Sequence, residues 1–245
     1  MVQYFGYTLA MIVPAYALSR IDLSLKWSRF SKLTFYFVIV ASFLSGARAA
    51  YLFVPILLML IYLIDKGPLG MMKAAAIIPL LMLTALYIAG IDPVAMFQMM
   101  FRLTTRYSDV IVYKGLVDAI ANAPLGFGTG MNTGPSRFAF YDSRSFVAFE
   151  NYYAKAVYEL GIPGLLIVVG LFLTLIVLGY KAHRNLQDPG LHSCSAAILA
   201  FIITMAINSF KGWQIDLDPI NVYFWIFTGI LFKLEYLEHD NTVNL

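Results

Sequence analysis

Five arginines, Arg48, Arg102, Arg106, Arg137 and Arg144, stand out in a chain in which only 13% of residues carry charge. Four of them fall in the stretch 91–151, where Lys114 is the one other cation and five acidic residues balance the total. A guanidinium fork matches phosphate oxygens bidentately where a lysine offers a point charge, so an arginine-dominated segment favours recognition of a phosphate-bearing substrate. Arg102, Arg106 and Tyr113 are spaced i, i+4 and i+11, which puts them on one face of an amphipathic helix expected over 102–123. Pro124 ends that helix, and Gly126, Gly128 and Gly130 permit tight turns and close approach of other backbone. No strand precedes these glycines, so a nucleotide-binding loop is not supported. Glu150 and Asn151 open the next apolar run. The plainer reading of Glu150 is a first-turn charge complementing the helix dipole.

The elements that must carry these groups follow from composition. Of 245 residues, 60% are hydrophobic, and mean hydropathy is +0.76. An ordinary soluble domain is about 45–50% apolar and about 25% charged. An ordinary soluble domain and a disordered chain are both excluded, and a polytopic integral membrane protein is expected. Six or seven apolar runs are separable, at 2–18, 33–45, 49–64, 72–90, 152–180, 194–210 and 219–237. No barrel-type alternation appears, and backbone in lipid must satisfy itself internally, so the fold is expected to be all-α.

Short-loop charges set the direction. Arg20, Lys26, Arg29 and Lys32, then Lys66 and Lys73, then Lys181 and Arg184 mark one side as cytoplasmic, whereas the alternate short connections carry only Arg48 or Lys211. The loop 91–151 is therefore expected outside. This leaves the N-terminus outside with nothing to translocate it, which is the expectation for a C-terminal portion of a longer protein; the other reading makes 2–18 interfacial. The run 33–64 is too long for one crossing and is interrupted at 45–48. Arg48 then sits recessed at the outer boundary, either as a functional charge or snorkelling to headgroups. Pro163 with Gly161 and Gly164 should kink the span that follows Glu159, and a structural role is the plainer reading of that carboxylate.

One cysteine, Cys194, excludes a disulfide framework, and the three histidines, His183, His192 and His239, fall on the expected inner side. A zinc site is not expected, and scattered basic residues argue against nucleic acid.

Three pieces, in this order, resemble the O-antigen polymerase/ligase superfamily of bacterial envelopes. The first is Ser45-Gly46-Ala47-Arg48 before a span. The second is Arg106, Tyr113 and Pro124-Leu125-Gly126-Phe127-Gly128. The third is Glu150-Asn151-Tyr152-Tyr153 followed by Glu159-Leu160-Gly161-Ile162-Pro163-Gly164. The similarity covers about residues 36–175, and implies a polymerase/ligase-like core at 33–175 within a single transmembrane domain, with flanking spans at 1–32 and 176–245. It further implies a glycosyltransferase of the bacterial inner membrane, using undecaprenyl-diphosphate-linked glycan on the outer face. No metal or nucleotide cofactor is implied, and other polysaccharide assembly proteins are the implied partners. Arg48 and Arg106, supported by Arg102, Arg137 and Arg144, would hold the diphosphate. Glu150 would be catalytic, and Gly126, Gly128, Gly130, Asn151 and Glu159 would shape the substrate loop.

The sequence departs from the resemblance where ligases usually carry His before Asn and this chain has Glu150. That favours a polymerase joining repeat units over a ligase. The usual Arg close before the aromatic is also absent, since Asp109 stands four residues before Tyr113. A transporter or flippase subunit predicts broken helices and charges near the midplane, and an inactive truncated fragment is the remaining alternative. The topology has a direct check: a cysteine at Ser136 should react with an impermeant thiol reagent in intact cells, and reaction only after rupture of the inner membrane would invert it.

Overall fold

The computed structural model describes residues 2–21, 25–45, 49–96, 98, 101–102, 114–130, 151–212, 214–216 and 219–243. Among these the regular elements are helical: α1 (Val2–Arg20), α2 (Leu25–Leu44), α3 (Ala50–Ile88), α4 (Lys114–Asn122), α5 (Tyr152–Asn185), α6 (Pro189–Asn208), a 3-10 turn (Gln214–Asp216) and α7 (Ile220–Val243). Four stretches are long and apolar enough to cross a bilayer, Ala50–Ile88, Tyr152–Asn185, Pro189–Asn208 and Ile220–His239, and Leu9–Arg20 is a shorter apolar helix. The protein is an all-α polytopic membrane protein.

Two helices are too long to be single rods. A continuous helix the length of α3 would extend ~58 Å, about twice the hydrocarbon core. It breaks instead at Gly67, whose φ of 71° and ψ of −168° are not helical. Leu58 and Tyr62 before the break line the same hollow as Ala74, Ile78 and Leu81 after it, so the two arms fold back beside each other. They correspond to the apolar runs at 49–64 and 72–90. Helix α2 begins at Leu25, eight residues ahead of the run at 33–45, because Trp27 and Phe30, with ring centroids 6.0 Å apart, extend its apolar side among the lysines. Their exposure, 64% and 60%, suits an interfacial aromatic belt.

The chain divides into two compact units, one of residues 1–97, 175–205 and 214–245, the other of 98–174 and 206–213. In the first unit the core is built from Leu9, Ile12 and Tyr16 of α1, Ile39 and Phe43 of α2, Leu57, Leu58 and Ile61 of α3, Phe201 of α6 and Phe224 of α7, all essentially without exposure. Its other organising feature is ionic. The Asp65 side chain is fully buried, and accepts hydrogen bonds from Tyr16 Oη (2.6 Å) and Ser193 Oγ (2.8 Å). Lys66 Nζ lies 3.2 Å away and His192 Nδ1 3.6 Å away. His183 continues the network, with Nδ1 2.7 Å from Ser195 Oγ. Ser195 Oγ also lies 2.8 Å from the His192 carbonyl, which can accept its hydroxyl hydrogen. Three helices, α1, α3 and α6, thus converge on one carboxylate. A second polar contact fastens α7, where Glu238 accepts from the Gln187 and Asp188 N–H groups and Glu235 accepts from Asn185 Nδ2.

Removing Asp65 leaves at least two buried donors unmatched, each costing about 1–3 kcal/mol. Asp65→Ala should therefore destabilise the detergent-solubilised protein by about 2–4 kcal/mol in denaturant titration, and Tyr16→Phe by about 1 kcal/mol. Equal and negligible losses in both would show that the network contributes no stability.

Candidate functional site

In the second unit, a loop is seated on a broken helix. Helix α5 starts with Asn151, whose buried Oδ1 accepts from the Tyr153 N–H (2.9 Å) and the Ala154 N–H (3.2 Å), an N-cap that takes up two of the orphan donors. The Tyr152 N–H donates to the Ser209 carbonyl (2.9 Å) and Tyr153 Oη to the Ala206 carbonyl (2.8 Å). The Tyr153 ring also packs 4.6 Å from Phe210. The first arm of α5 is thereby tied to the end of α6. The amphipathic α4 lies against the same arm, with Leu116, Ala119 and Ile120 packed on Ala154, Val157 and Leu165.

Helix α5 breaks at Gly161, with φ 73° and ψ −166°. The break strands two carbonyls, and the sequence shows why. In an unbroken helix Tyr158 O would accept from Ile162 and Glu159 O from residue 163. Residue 163 is proline and has no N–H, and the Ile162 N–H is turned to the Pro124 carbonyl (2.9 Å). The loop after α4 supplies the substitutes: the Phe127 N–H donates to Tyr158 O (2.8 Å) and the Gly128 N–H to Glu159 O (3.0 Å). The Phe127 ring covers the Tyr158 ring at 4.8 Å.

Such contact between backbones requires glycine on both sides. A Cβ on Gly126 would stand 2.6 Å from the Glu159 oxygen, and one on Gly161 would stand 2.5 Å from the Pro124 oxygen. Gly126, Gly128 and Gly130 also have positive φ, at 76°, 111° and 85°. Pro124-Leu125-Gly126-Phe127-Gly128 and Glu159-Leu160-Gly161-Ile162-Pro163, more than thirty residues apart in the chain, thus form one backbone assembly.

Of the residues singled out by sequence, Arg48, Arg106, Arg137, Arg144 and Glu150 lie outside the described residues, as does Tyr113. Arg102 is exposed, Asn151 is buried as a cap, and Glu159 is half-buried with its carbonyl in the loop contact. The helix expected over 102–123 is described from Lys114 to Asn122. Sequence reasoning did not single out Asn208 and Ser209, which are buried to 1% and 2% exposure beside the start of α5. Their signal was a polar pair closing an apolar run. Lys155, one turn after Asn151, is also buried, at 5% exposure. Among the described residues no group of three His, Cys, Asp or Glu side chains is placed to hold a metal ion.

The site defines a class first: a helical membrane protein that seats a glycine loop on a broken span. The chain belongs to the O-antigen ligase family (Wzy_C), whose model matches residues 33–169, more than half of its length. The matched region runs from α2 through the loop and past the break in α5. Membership gives a role in polysaccharide assembly at the membrane, glycosyl transfer as the type of chemistry, and lipid-linked polysaccharide as the substrate class. Comparison with curated proteins gives no match.

Glycine replacements test the assembly. Gly126→Ala and Gly161→Ala should each free the loop, read as faster amide exchange over 123–130 and lost activity. Nothing lies within 4 Å of a Cβ on Gly128, so Gly128→Ala should add only backbone strain of about 1–3 kcal/mol, with no clash. Equal effects from all three would show that close approach is not what these positions require.

Proposed function

We propose that the chain is a membrane glycosyltransferase that polymerises lipid-diphosphate-linked oligosaccharide repeat units, such as those of O-antigen, capsule or exopolysaccharide, on the outer face of the inner membrane. The observation that carries the proposal is the family match, which takes in Arg48, the whole arginine-bearing loop, Glu150 and the α5 break. The seating of the loop on α5 supports it further, since the same backbone contacts fix the chain on both sides of the arginines at 131–150.

The reaction has simple requirements. An acceptor hydroxyl oxygen forms a bond to the anomeric carbon of the donor sugar. The bond from that carbon to the diphosphate oxygen breaks, and the lipid diphosphate leaves with the electron pair. Charge therefore grows on the leaving group. Arg48 and Arg106, with Arg102, Arg137 and Arg144, stabilise that charge, in place of a metal ion. Glu150 accepts the hydroxyl proton or, if an arginine beside it holds it ionised, orients the acceptor. Asn151 holds the start of α5 next to Glu150, and the glycines shape the loop that the sugar chain meets. A ligase, which would pass the finished glycan to a different acceptor, is the second reading, favoured by the family's own description. Glu150 in place of the ligase histidine is why polymerisation is preferred.

The assay is chain elongation in a polymerase-null strain with membrane level measured in parallel. Arg48→Ala and Arg106→Ala should each abolish elongation while the protein stays in the membrane; normal polymer lengths in both would overturn the diphosphate assignment. Glu150→Gln should cost more activity than Glu159→Gln, and the opposite order would make Glu159 the working carboxylate.

A further inference from the structure

Helix α2 buries one face and leaves the other exposed. Ser31, Phe35, Ile39, Ser42 and Phe43 recur with the helical period and are buried. The opposite face carries Lys26, Arg29, Phe30, Leu33 and Phe37, also at helical spacing. All five are exposed, Leu33 and Phe37 to 68% and 71%. The exposed Lys32 flanks this face beside Arg29, and Trp27 flanks it on the other side against Phe30.

The exposed face changes character along the helix. Its first two turns hold three cations, and beyond Lys32 it is apolar and aromatic as far as Leu44. The stretch 33–44 covers about 18 Å, short of the roughly 30 Å hydrocarbon core. With that stretch in hydrocarbon, Lys26, Arg29 and Lys32 stand at the level of the headgroups. Among the described residues the ion pairs gather at Asp65 and involve none of these three cations. Asp22 is the one acidic residue before Asp65 in the sequence, and it lies outside the described residues. Lys26 with Arg29, and Arg29 with Lys32, are like-charged neighbours on one helix, an arrangement that destabilises it. An anion lying among them removes that repulsion.

We propose that this face of α2 is a docking surface for anionic phospholipid, with the phosphates among Lys26, Arg29 and Lys32 and the acyl chains along Leu33 and Phe37. Charge complementarity selects an anionic headgroup over a zwitterionic one, at about fivefold in affinity for each cation near the surface. The apolar half of the same face selects an amphiphile over a soluble anion. None of these residues belongs to the arginine-bearing loop 91–151, and the proposal stands whichever sugar chemistry the chain performs.

The test reads fluorescence quenching of Trp27 in the full chain carrying Trp213→Phe and Trp225→Phe, which leave Trp27 as its one tryptophan. The protein is reconstituted in vesicles of phosphatidylglycerol and phosphatidylcholine, with one or the other lipid brominated. Quenching should give phosphatidylglycerol at least about a fivefold higher relative association constant than phosphatidylcholine. Lys26→Gln with Arg29→Gln and Lys32→Gln should bring the two lipids to parity, and Lys26→Arg with Lys32→Arg should keep the preference. Lys181→Gln with Arg184→Gln removes two other exposed cations, near the end of α5, and should leave the preference unchanged. Parity in the parent chain would overturn the proposal. So would an equal loss in the α5 variant, which would make the preference a property of total charge. Absence of quenching by either lipid would show that another span or a second copy covers the face, and would overturn it as well.

Discussion

A carbonyl without a donor is the constraint on which the second unit depends. Where α5 breaks, Tyr158 and Glu159 lose their helical partners, and unmatched carbonyls in a low-dielectric setting cost several kcal/mol. The Phe127 and Gly128 N–H groups remove that cost, and the Ile162 N–H returns a bond to Pro124. The loop conformation and the helix break therefore stabilise each other, and neither has a reason to exist alone. This couples the two segments that flank the charged stretch 131–150.

How much of this could be read from sequence depends on the kind of force involved. Apolar runs report burial in lipid directly, and all-helical architecture followed from them. The kink after Glu159 was legible because Pro163 lacks an N–H, a property of one residue. Its partner was not legible: that Gly128 supplies the missing donor to Glu159 is a relation between positions thirty-one residues apart, and periodicity carries no signal for it. The same holds for the Asp65 network. Tyr16, Asp65, His192 and Ser193 each read as unremarkable residues near span ends, and only folding makes them neighbours. Helix α2 began eight residues earlier than its apolar run because aromatic residues at an interface extend a helix through lysines that a hydropathy window penalises.

The two carboxylates of α3 and α5 show why position along a span decides meaning. Asp65 is fully enclosed and tied to hydroxyls from two other helices, so its charge is spent on holding the first unit together. Glu159 is half-buried, and it is the carbonyl of this residue that holds the loop. Side-chain chemistry at 159 is thus not needed to explain why the chain breaks there; Pro163 and Gly161 suffice.

The same break occurs twice, and the comparison separates scaffold from site. Gly67 and Gly161 share φ and ψ to within a few degrees, and each is followed within two residues by proline and three residues later by a second glycine. In both, the carbonyl three residues before the break is left to be satisfied. At Gly161 it is Tyr158 O, taken by the backbone of a glycine loop. At Gly67 it is Ile64 O, and that break stands in open space, since a Cβ on Gly67 would meet nothing within 4 Å and so has no backbone seated against it. A loop backbone seated at Gly161 supplies the hydrogen bond and brings with it the sequence on either side, and here that sequence carries the arginines. The backbone break is shared; what distinguishes the copy at Gly161 is that its missing donors come from a loop with its own sequence on either side.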